Sequence, residues 1–325
     1  MNVLLTGGSG FVGINIAEAL LAAGCRVMLF GPAPLPKRAE VAFTSFGDRV
    51  TLVQGDVRDE RVLRDNITSR AIDAIIHGAA LTPGEAGETR EAMATVDVNV
   101  LGTTRVVTAA ATCGITRLLL LSSASVYGSQ DDDRELDERT TRPNPASLYA
   151  ITKFAAEQVA GRLAARHRLD LRVARLGSVF GPWERDGGVR DTVSAIFQVM
   201  QAAAAGRDVV LTRPGRRDWI YAPDAAAAVA ALLLRDAPCE GAINIGLGAE
   251  WSVADWCTRL VLIRPEFRWR IARPGEPATI DFHGPHDRPA LATRRLASEI
   301  GFTPRFGLDA ACDHYSRWLS EDETP

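Results

Sequence analysis

A short β-forming run that opens directly onto three evenly spaced glycines constrains this chain more than any other stretch. Residues 1–6 read MNVLLT, residues 7–13 read GGSGFVG, and the residues from Ile14 to Leu21 are apolar at helical spacing. Strand, glycine turn and helix in that order are what a dinucleotide pyrophosphate requires. Gly7 allows a tight turn, Gly10 lets the backbone approach phosphate, and Gly13 lets the helix lie close to the strand. The helix N-terminus adds unpaired N–H groups and a partial positive charge. A G-x-x-G-x-x-G spacing alone is a weak signal, since glycine turns are common. Its place directly after a strand is what points to a cofactor.

The pattern continues as alternating strands and helices. Strands are expected over 26–30, 50–53, 72–77, 117–121 and 171–176, and helices over 60–69, 91–113 and 149–167. Continuous apolar strands separated by helices predict an α/β fold, a Rossmann-like doubly wound parallel sheet covered on both faces. From Gly181 the pattern changes: helices are expected over 189–205, 223–234 and 253–261, and short strands over 209–211 and 242–245. We expect residues 1–180 to form a dinucleotide-binding domain. Residues 181–325 are read as mainly a smaller mixed α/β substrate-binding cap, with some segments returning to the main sheet.

Composition sets limits on partners. A net charge of −3 offers no basic field for nucleic acid. The longest strongly apolar stretch, 225–234, is far too short to span a bilayer. Met1 runs straight into a strand, and the five cysteines are scattered and odd in number, without metal spacing. These features predict a cytoplasmic protein with reduced thiols, no membrane segment and no bound metal. The acidic run 131–135 reads as a solvated loop.

Chemistry enters with Tyr149 and Lys153. Four residues apart on a helix, they share one face. An ammonium beside a phenol stabilises the phenolate, so Tyr149 is a candidate general acid/base; an exposed helix pair is the plainer reading of the same spacing. Ser123, at the carboxyl end of the fifth strand, faces the cleft where ligands of such sheets lie. It is placed to hydrogen-bond the same substrate oxygen.

Taken together these motifs resemble the extended short-chain dehydrogenase/reductase superfamily, in its NAD-dependent sugar epimerase/dehydratase branch, with UDP-glucose 4-epimerase as the nearest type. The matching residues are 6–13 (TGGSGFVG), 55–57 (GDV), 77–80 (HGAA), 99–103 (NVLGT), 122–128 (SSASVYG), Tyr149 with Lys153, 179–182 (VFGP) and 217–221 (RDWIY). The resemblance implies that Gly7, Gly10, Phe11, Val12 and Gly13 hold the pyrophosphate, and that Asp56 and Val57 flank the adenine. Ala79 and Ala80 would leave room for the nicotinamide ribose, Lys153 would bond its hydroxyls, and Asn99 would support the active-site backbone. Plainer readings stand beside these: Asp56 as a turn residue, His77 as a satisfied strand-end histidine, Asn99 as a helix cap. Arg217 and Arg273 are the expected diphosphate-binding arginines, with Ser125 and Ser178 as further substrate contacts; a surface salt bridge is the plainer reading beside each, more so for Arg273 than for Arg217. Relatives pair as homodimers through helices equivalent to 99–113 and 149–167, where Val100, Val106, Val107 and Ala110 would supply part of an apolar face, although core burial explains them equally well.

Departures from the family pattern narrow the reaction. The acid that ends the second strand in many NAD-selective relatives is Gly31 here, with Lys37 and Arg38 close behind, so NAD and NADP both stay open. Dehydrating relatives carry an Asp-Glu pair after the active-site hydroxyl residue, and decarboxylating ones keep the Glu. This chain has Ala124 and Ser125, so both reactions are disfavoured. What remains is Tyr-assisted hydride transfer through a keto intermediate, in a nucleotide-sugar 4-epimerase. The alternatives are a dehydrogenase of a free sugar or sugar acid, with Arg185 and Arg190 as its binding groups, and, more remotely, a non-catalytic nucleotide sensor.

Overall fold

The computed structural model describes residues 1–130, 133–186, 192–284 and 286–321; Asp131 and Asp132 of the acidic run, and Arg190, lie outside them. The strands of the first half are β1 (Asn2–Thr6), β2 (Arg26–Gly31), β3 (Val50–Gln54), β4 (Ala74–His77), β5 (Arg117–Ser123), β6 (Asp170–Leu176) and β7 (Ser178–Phe180). Then come β8 (Val209–Leu211), β9 (Arg216–Arg217), β10 (Trp219–Tyr221), β11 (Ala242–Ile245), β12 (Trp251–Ser252) and β13 (Trp269–Ile271). Seven of them form one sheet in the order β11-β6-β5-β4-β1-β2-β3, and every neighbouring pair is parallel. The order reverses between β1 and β4, so a crevice opens there at the carboxyl ends of the strands.

The expected doubly wound sheet is therefore present, and its burial explains the sequence pattern. Val3, Leu4 and Leu5 are fully buried because β1 is covered on both faces; each such side chain contributes about 1.5–3 kcal/mol. On one face the helices Phe11–Ala22 and Ala222–Leu234 pack together over Val3, Leu5, Leu29 and Ile76. Ala225, Ala226 and Ala228 are small enough to let the two helices approach closely. On the other face the helices Glu60–Ser69, Thr103–Thr112 and Leu148–His167 cover Leu4, Met28, Ile75 and Leu118. β11 lies at the edge beyond β6, so the chain returns to the main sheet after β8–β10.

A separate aromatic core holds the second layer. Phe180, Trp219, Tyr221, Trp251 and Trp256 cluster there, with Trp251 and Trp256 stacked at 5.6 Å. The strand pairs β7–β10, β9–β12 and β8–β13 frame it.

Two helices differ from the reading of the sequence. The continuous helix expected over 91–113 is Ala92–Val96, then a π-helical turn at Asp97–Gly102, then Thr103–Thr112. Periodicity cannot register a turn that inserts one extra residue per bond, and such turns recur at functional sites. The helix expected over 189–205 is Ala195–Ala204, capped by the Ser194 hydroxyl, which accepts from the Phe197 N–H at 3.0 Å; residues 187–191 lie outside the described residues.

Candidate active site

The glycine loop forms the floor of the crevice. Gly7 has φ +72°, and a Cβ on it would sit 2.9 Å from the Ala79 nitrogen; a Cβ on Gly13 would sit 2.2 Å from the Gly7 carbonyl oxygen. Only glycine allows the helix Phe11–Ala22 to start this close to β1. That helix begins at Gly10 with no side-chain cap and no acidic residue in its first turn, so its positive end is not neutralised by the chain. Above it runs a cleft of about 1400 Å³, lined by Gly7, Gly10, Phe11, Val12, Gly13, Asp56, Val57, Ala79, Ala80, Ser123, Ser125, Tyr149, Lys153, Ser178 and Arg217, among others. The folded chain thus brings nearly every site residue expected from the sequence to one cavity.

Asn99 and Arg273 are the exceptions. Asn99 lies behind the wall: its Oδ1 accepts from the Leu81 N–H at 2.8 Å, and its Nδ2 donates to the Leu81 carbonyl and to Thr152 Oγ1, both at 3.0 Å. The π-turn aims it there, tying the cleft wall after β4 to the helix that carries Tyr149 and Lys153. Arg273 is exposed on a surface turn, where its N–H donates to Glu276 at 2.9 Å. It is not part of the cleft wall. The RPGE stretch makes a tight turn, with Gly275 at φ +79°, rather than a phosphate grip.

His77 is a satisfied strand-end histidine, and its surroundings fix its tautomer. Thr103 Oγ1 donates its proton to the Asn99 carbonyl at 2.7 Å, so at 3.0 Å from His77 Nε2 it accepts. His77 Nδ1 then accepts from Thr6 Oγ1 at 2.7 Å, and that oxygen accepts from the Gly78 and Ala79 amides at 3.2 Å. Burial, with a smaller push from Lys153, drops the imidazole pKa to about 3, so the ring is neutral.

Ser147 caps the helix Leu148–His167 through the Ala150 N–H at 3.1 Å. Tyr149, half-buried, and Lys153, buried, stand one turn apart on it. Burial lowers the Lys153 pKa to about 8, and Glu157 one turn further on opposes that shift. Glu157 accepts from Ser122 and is gripped by Arg175 at 3.0 and 2.7 Å. Among the described residues the Lys153 ammonium makes no hydrogen bond. Ser123 Oγ accepts from the Ser125 N–H at 3.1 Å, and Ser125 Oγ is buried without a partner among the described residues.

At the cap end the cleft is basic. Arg217 donates to the Phe282 carbonyl at 2.5 Å, and its Nε is buried without a partner among the described residues. Burial first, then the charges of Arg288 and Arg213, depress its pKa to about 9. Arg288 also lines the cleft; burial lowers its pKa and Tyr149 opposes that, so its charge is felt at the phenol. The sequence reading missed Arg288, which stands after β13 in a stretch with no family signal of its own. Like charges confined in a half-buried wall favour an anion.

At the opposite end, Asp56 is held by Arg58 at 2.7 Å, which keeps its carboxyl below the usual range. Gly31 lines the cleft, whereas Lys37 and Arg38 do not. Arg38 lies over the Trp318 ring at 3.7 Å and donates to the Trp318 carbonyl at 2.9 Å.

Residues 3–246 match the family model described as the NAD dependent epimerase/dehydratase family. The chain belongs to this family. A dTDP-L-rhamnose 4-epimerase of Burkholderia thailandensis is 28% identical to it over 356 aligned residues, covering 98% of this chain and 95% of that protein. A dTDP-glucose 4,6-dehydratase of Streptomyces antibioticus is also 28% identical, over 94% of this chain and 88% of that protein. Among solved structures, a UDP-glucose 4-epimerase of Stenotrophomonas maltophila with bound NAD and formylated UDP-arabinopyranose has a TM-score of 0.84 and 25% identity, covering 99% of both chains. As a member of the NAD-dependent epimerase/dehydratase family, this chain is an NAD-dependent enzyme. Its residues fit the cofactor: the cradle at Gly7 and Gly13 would be filled by any Cβ, and the uncapped helix end and the Lys153 ammonium, without a hydrogen-bond partner among the described residues, face the same cleft.

Proposed function

We propose that this enzyme is a nucleotide-sugar 4-epimerase that works through a transient keto sugar. The observation that carries the reading is one cleft holding Tyr149, Lys153 and Ser123 beside the glycine loop, with Ala124 and Ser125 where dehydrating relatives place carboxylates. Bound NAD supplies the hydride acceptor. Phe11, Val12 and the helix end would hold its phosphates, Asp56 and Val57 would border its adenine, and Lys153 would bond its ribose. Residues 1–180 serve this half of the site, and residues 181–325 mainly close over the sugar.

Tyr149, as phenolate stabilised by the Lys153 ammonium, accepts the proton of a sugar hydroxyl. Ser123 donates to the carbonyl oxygen that forms. Arg217 and Arg288 hold the diphosphate by its oxygens, with Ser125 and Ser178 along the sugar. The ketone turns over, and Tyr149 returns the proton after reduction from the other face. Two carboxylates would be needed to expel or add water, and this wall offers none at the matching positions.

The influence of Tyr149 on Arg288 favours a second reading. A cation in the cleft that holds the phenol also suits a carboxylate on the reacting sugar, and so an oxidation of a sugar acid with net release of reduced cofactor. One assay separates the two: purified protein with a panel of UDP-sugars and sugar acids, following reduced-nicotinamide absorbance and sugar product. Converted UDP-sugar without accumulating absorbance supports the epimerase; steady accumulation with a sugar acid overturns it.

The enzyme is further proposed to pair with a second copy. Leu101 and Ile151 are exposed within the two stretches that relatives use, and Met93, 83% exposed, and Val96 are exposed on the short helix just ahead of the first of them. Val106, Val107 and Ala110, expected in that contact, lie in the domain core instead. Five free cysteines suit a reducing cytoplasm. No helix among the described residues is long and apolar enough to cross a membrane.

A further inference from the structure

We propose that Arg185 is a clamp that the segment after β7 lays over the pyrophosphate of the dinucleotide. The inference rests on the NAD dependence of the family, not on the choice of sugar.

The segment 181–185 is fastened to the glycine-loop helix at successive points. Asn15 Nδ2 donates to the Pro182 carbonyl at 2.9 Å. Trp183 Nε1 donates to Glu18 at 3.1 Å. Glu184 is buried and accepts from the Ser194 N–H and hydroxyl, both at 2.7 Å. Trp183 itself has φ +69° while buried, a conformation a bulky residue keeps only when its surroundings enforce it. These fastenings set Arg185 beside the loop that the phosphates must approach.

There, Arg185 Nη2 donates to the Ser9 carbonyl at 2.7 Å. Its Nη1 is buried and has no partner among the described residues. No carboxylate pairs with it among them either, and burial lowers its pKa. A half-buried guanidinium with one N–H group buried and idle is costly unless an anion completes it. The wall it shares with Ser9, Gly10, Phe11 and Val12 is where the uncapped helix end already favours negative charge. One side chain thus joins the Ser9 carbonyl to the anion site, through two hydrogen-bonding edges of one planar fork.

The test is calorimetry on the full chain freed of nucleotide, with adenosine and ADP-ribose as probes. Arg185→Gln retains a donor for Ser9 and removes the charge. It should weaken ADP-ribose on the order of 10- to 100-fold, leave adenosine within about twofold, and flatten the salt dependence of ADP-ribose binding. Arg185→Lys should recover most of the loss. In the unsubstituted protein, ADP-ribose but not adenosine should protect Arg185 from phenylglyoxal, read by peptide mass spectrometry; this arm holds even if a variant does not fold. Unchanged ADP-ribose affinity in the Gln variant, an equal loss for adenosine, or no protection would each overturn the proposal.

Discussion

Replacing Gly13 by alanine tests whether the loop geometry is as tight as its coordinates make it. The added Cβ would lie 2.2 Å from the Gly7 carbonyl oxygen and 2.9 Å from the Gly8 Cα, whereas ordinary contact begins near 3.4 Å. The helix must therefore retreat by about 1.2 Å from the loop, the difference between 3.4 and 2.2 Å. The obstructing atoms are backbone, so no side-chain rotamer relieves the clash. Overpacking of this kind costs about 1–3 kcal/mol. For a chain of this length, 2 kcal/mol lowers Tm by roughly 3–4 °C. The same retreat moves the amides of Phe11 and Val12 off the phosphates, so NAD affinity should fall at least about tenfold, a loss of 1.4 kcal/mol. Thermal unfolding and titration of NAD measure the two effects on one sample. A Gly13→Ala protein that melts within a degree of the original and binds NAD equally would refute the argument from close approach.

Other outcomes follow from the same geometry. Tyr149→Phe should lower kcat by about 10²- to 10⁴-fold while NAD affinity, read by the same titration, stays unchanged. Lys153 titrates at about 8 in the folded chain against 10.5 when unfolded. Between those values the unfolded state binds more protons, so this residue makes stability rise with pH there and contributes no slope below about 8. Denaturant unfolding of the cofactor-free protein should show that rise disappear in Lys153→Met, in the difference between the two proteins. Met93→Glu with Ile151→Glu should convert a dimer to a monomer in light scattering, with melting little changed, because both side chains are exposed in the single chain. Glu157→Gln should cost about 3–5 kcal/mol in urea unfolding, since it leaves the buried Arg175 guanidinium without its carboxylate.

How far the site could be read in the sequence depended on how local each signal was. Gly7, Gly10 and Gly13 act on neighbours within one turn, and Tyr149 and Lys153 on a single helix, so spacing placed them once the strand before the loop and Ser123 at the end of β5 were read with it. β1, β2, β4 and β5 were legible because strands covered on both faces leave continuous apolar runs. Asn99 was read as a support of the active-site backbone, and it bonds the Leu81 backbone, but no periodicity encodes the π-turn that aims it there. Arg273 and Arg288 show the same limit at long range. An arginine in a familiar tetrapeptide ended on a surface turn, while one in an unfamiliar stretch reached the cleft, because only the path of the chain after β13 decides which of them arrives. Val106, Val107 and Ala110 had the right character for a dimer face, yet apolar spacing cannot tell a subunit contact from a core.

β11 gives the molecule an interlocked order of assembly. About 65 residues separate the end of β6 from the start of β11, and Phe180, Trp219 and Tyr221 of the aromatic core lie in between, while Trp251 and Trp256 follow β11. As the chain leaves the ribosome, the outer edge of β6 stays bare through that interval, a template for unwanted strand addition. A truncation after β7 would freeze that state. We expect fragments ending near residue 180 to aggregate, and the nascent chain to be most vulnerable to chaperone capture just before Ala242 emerges.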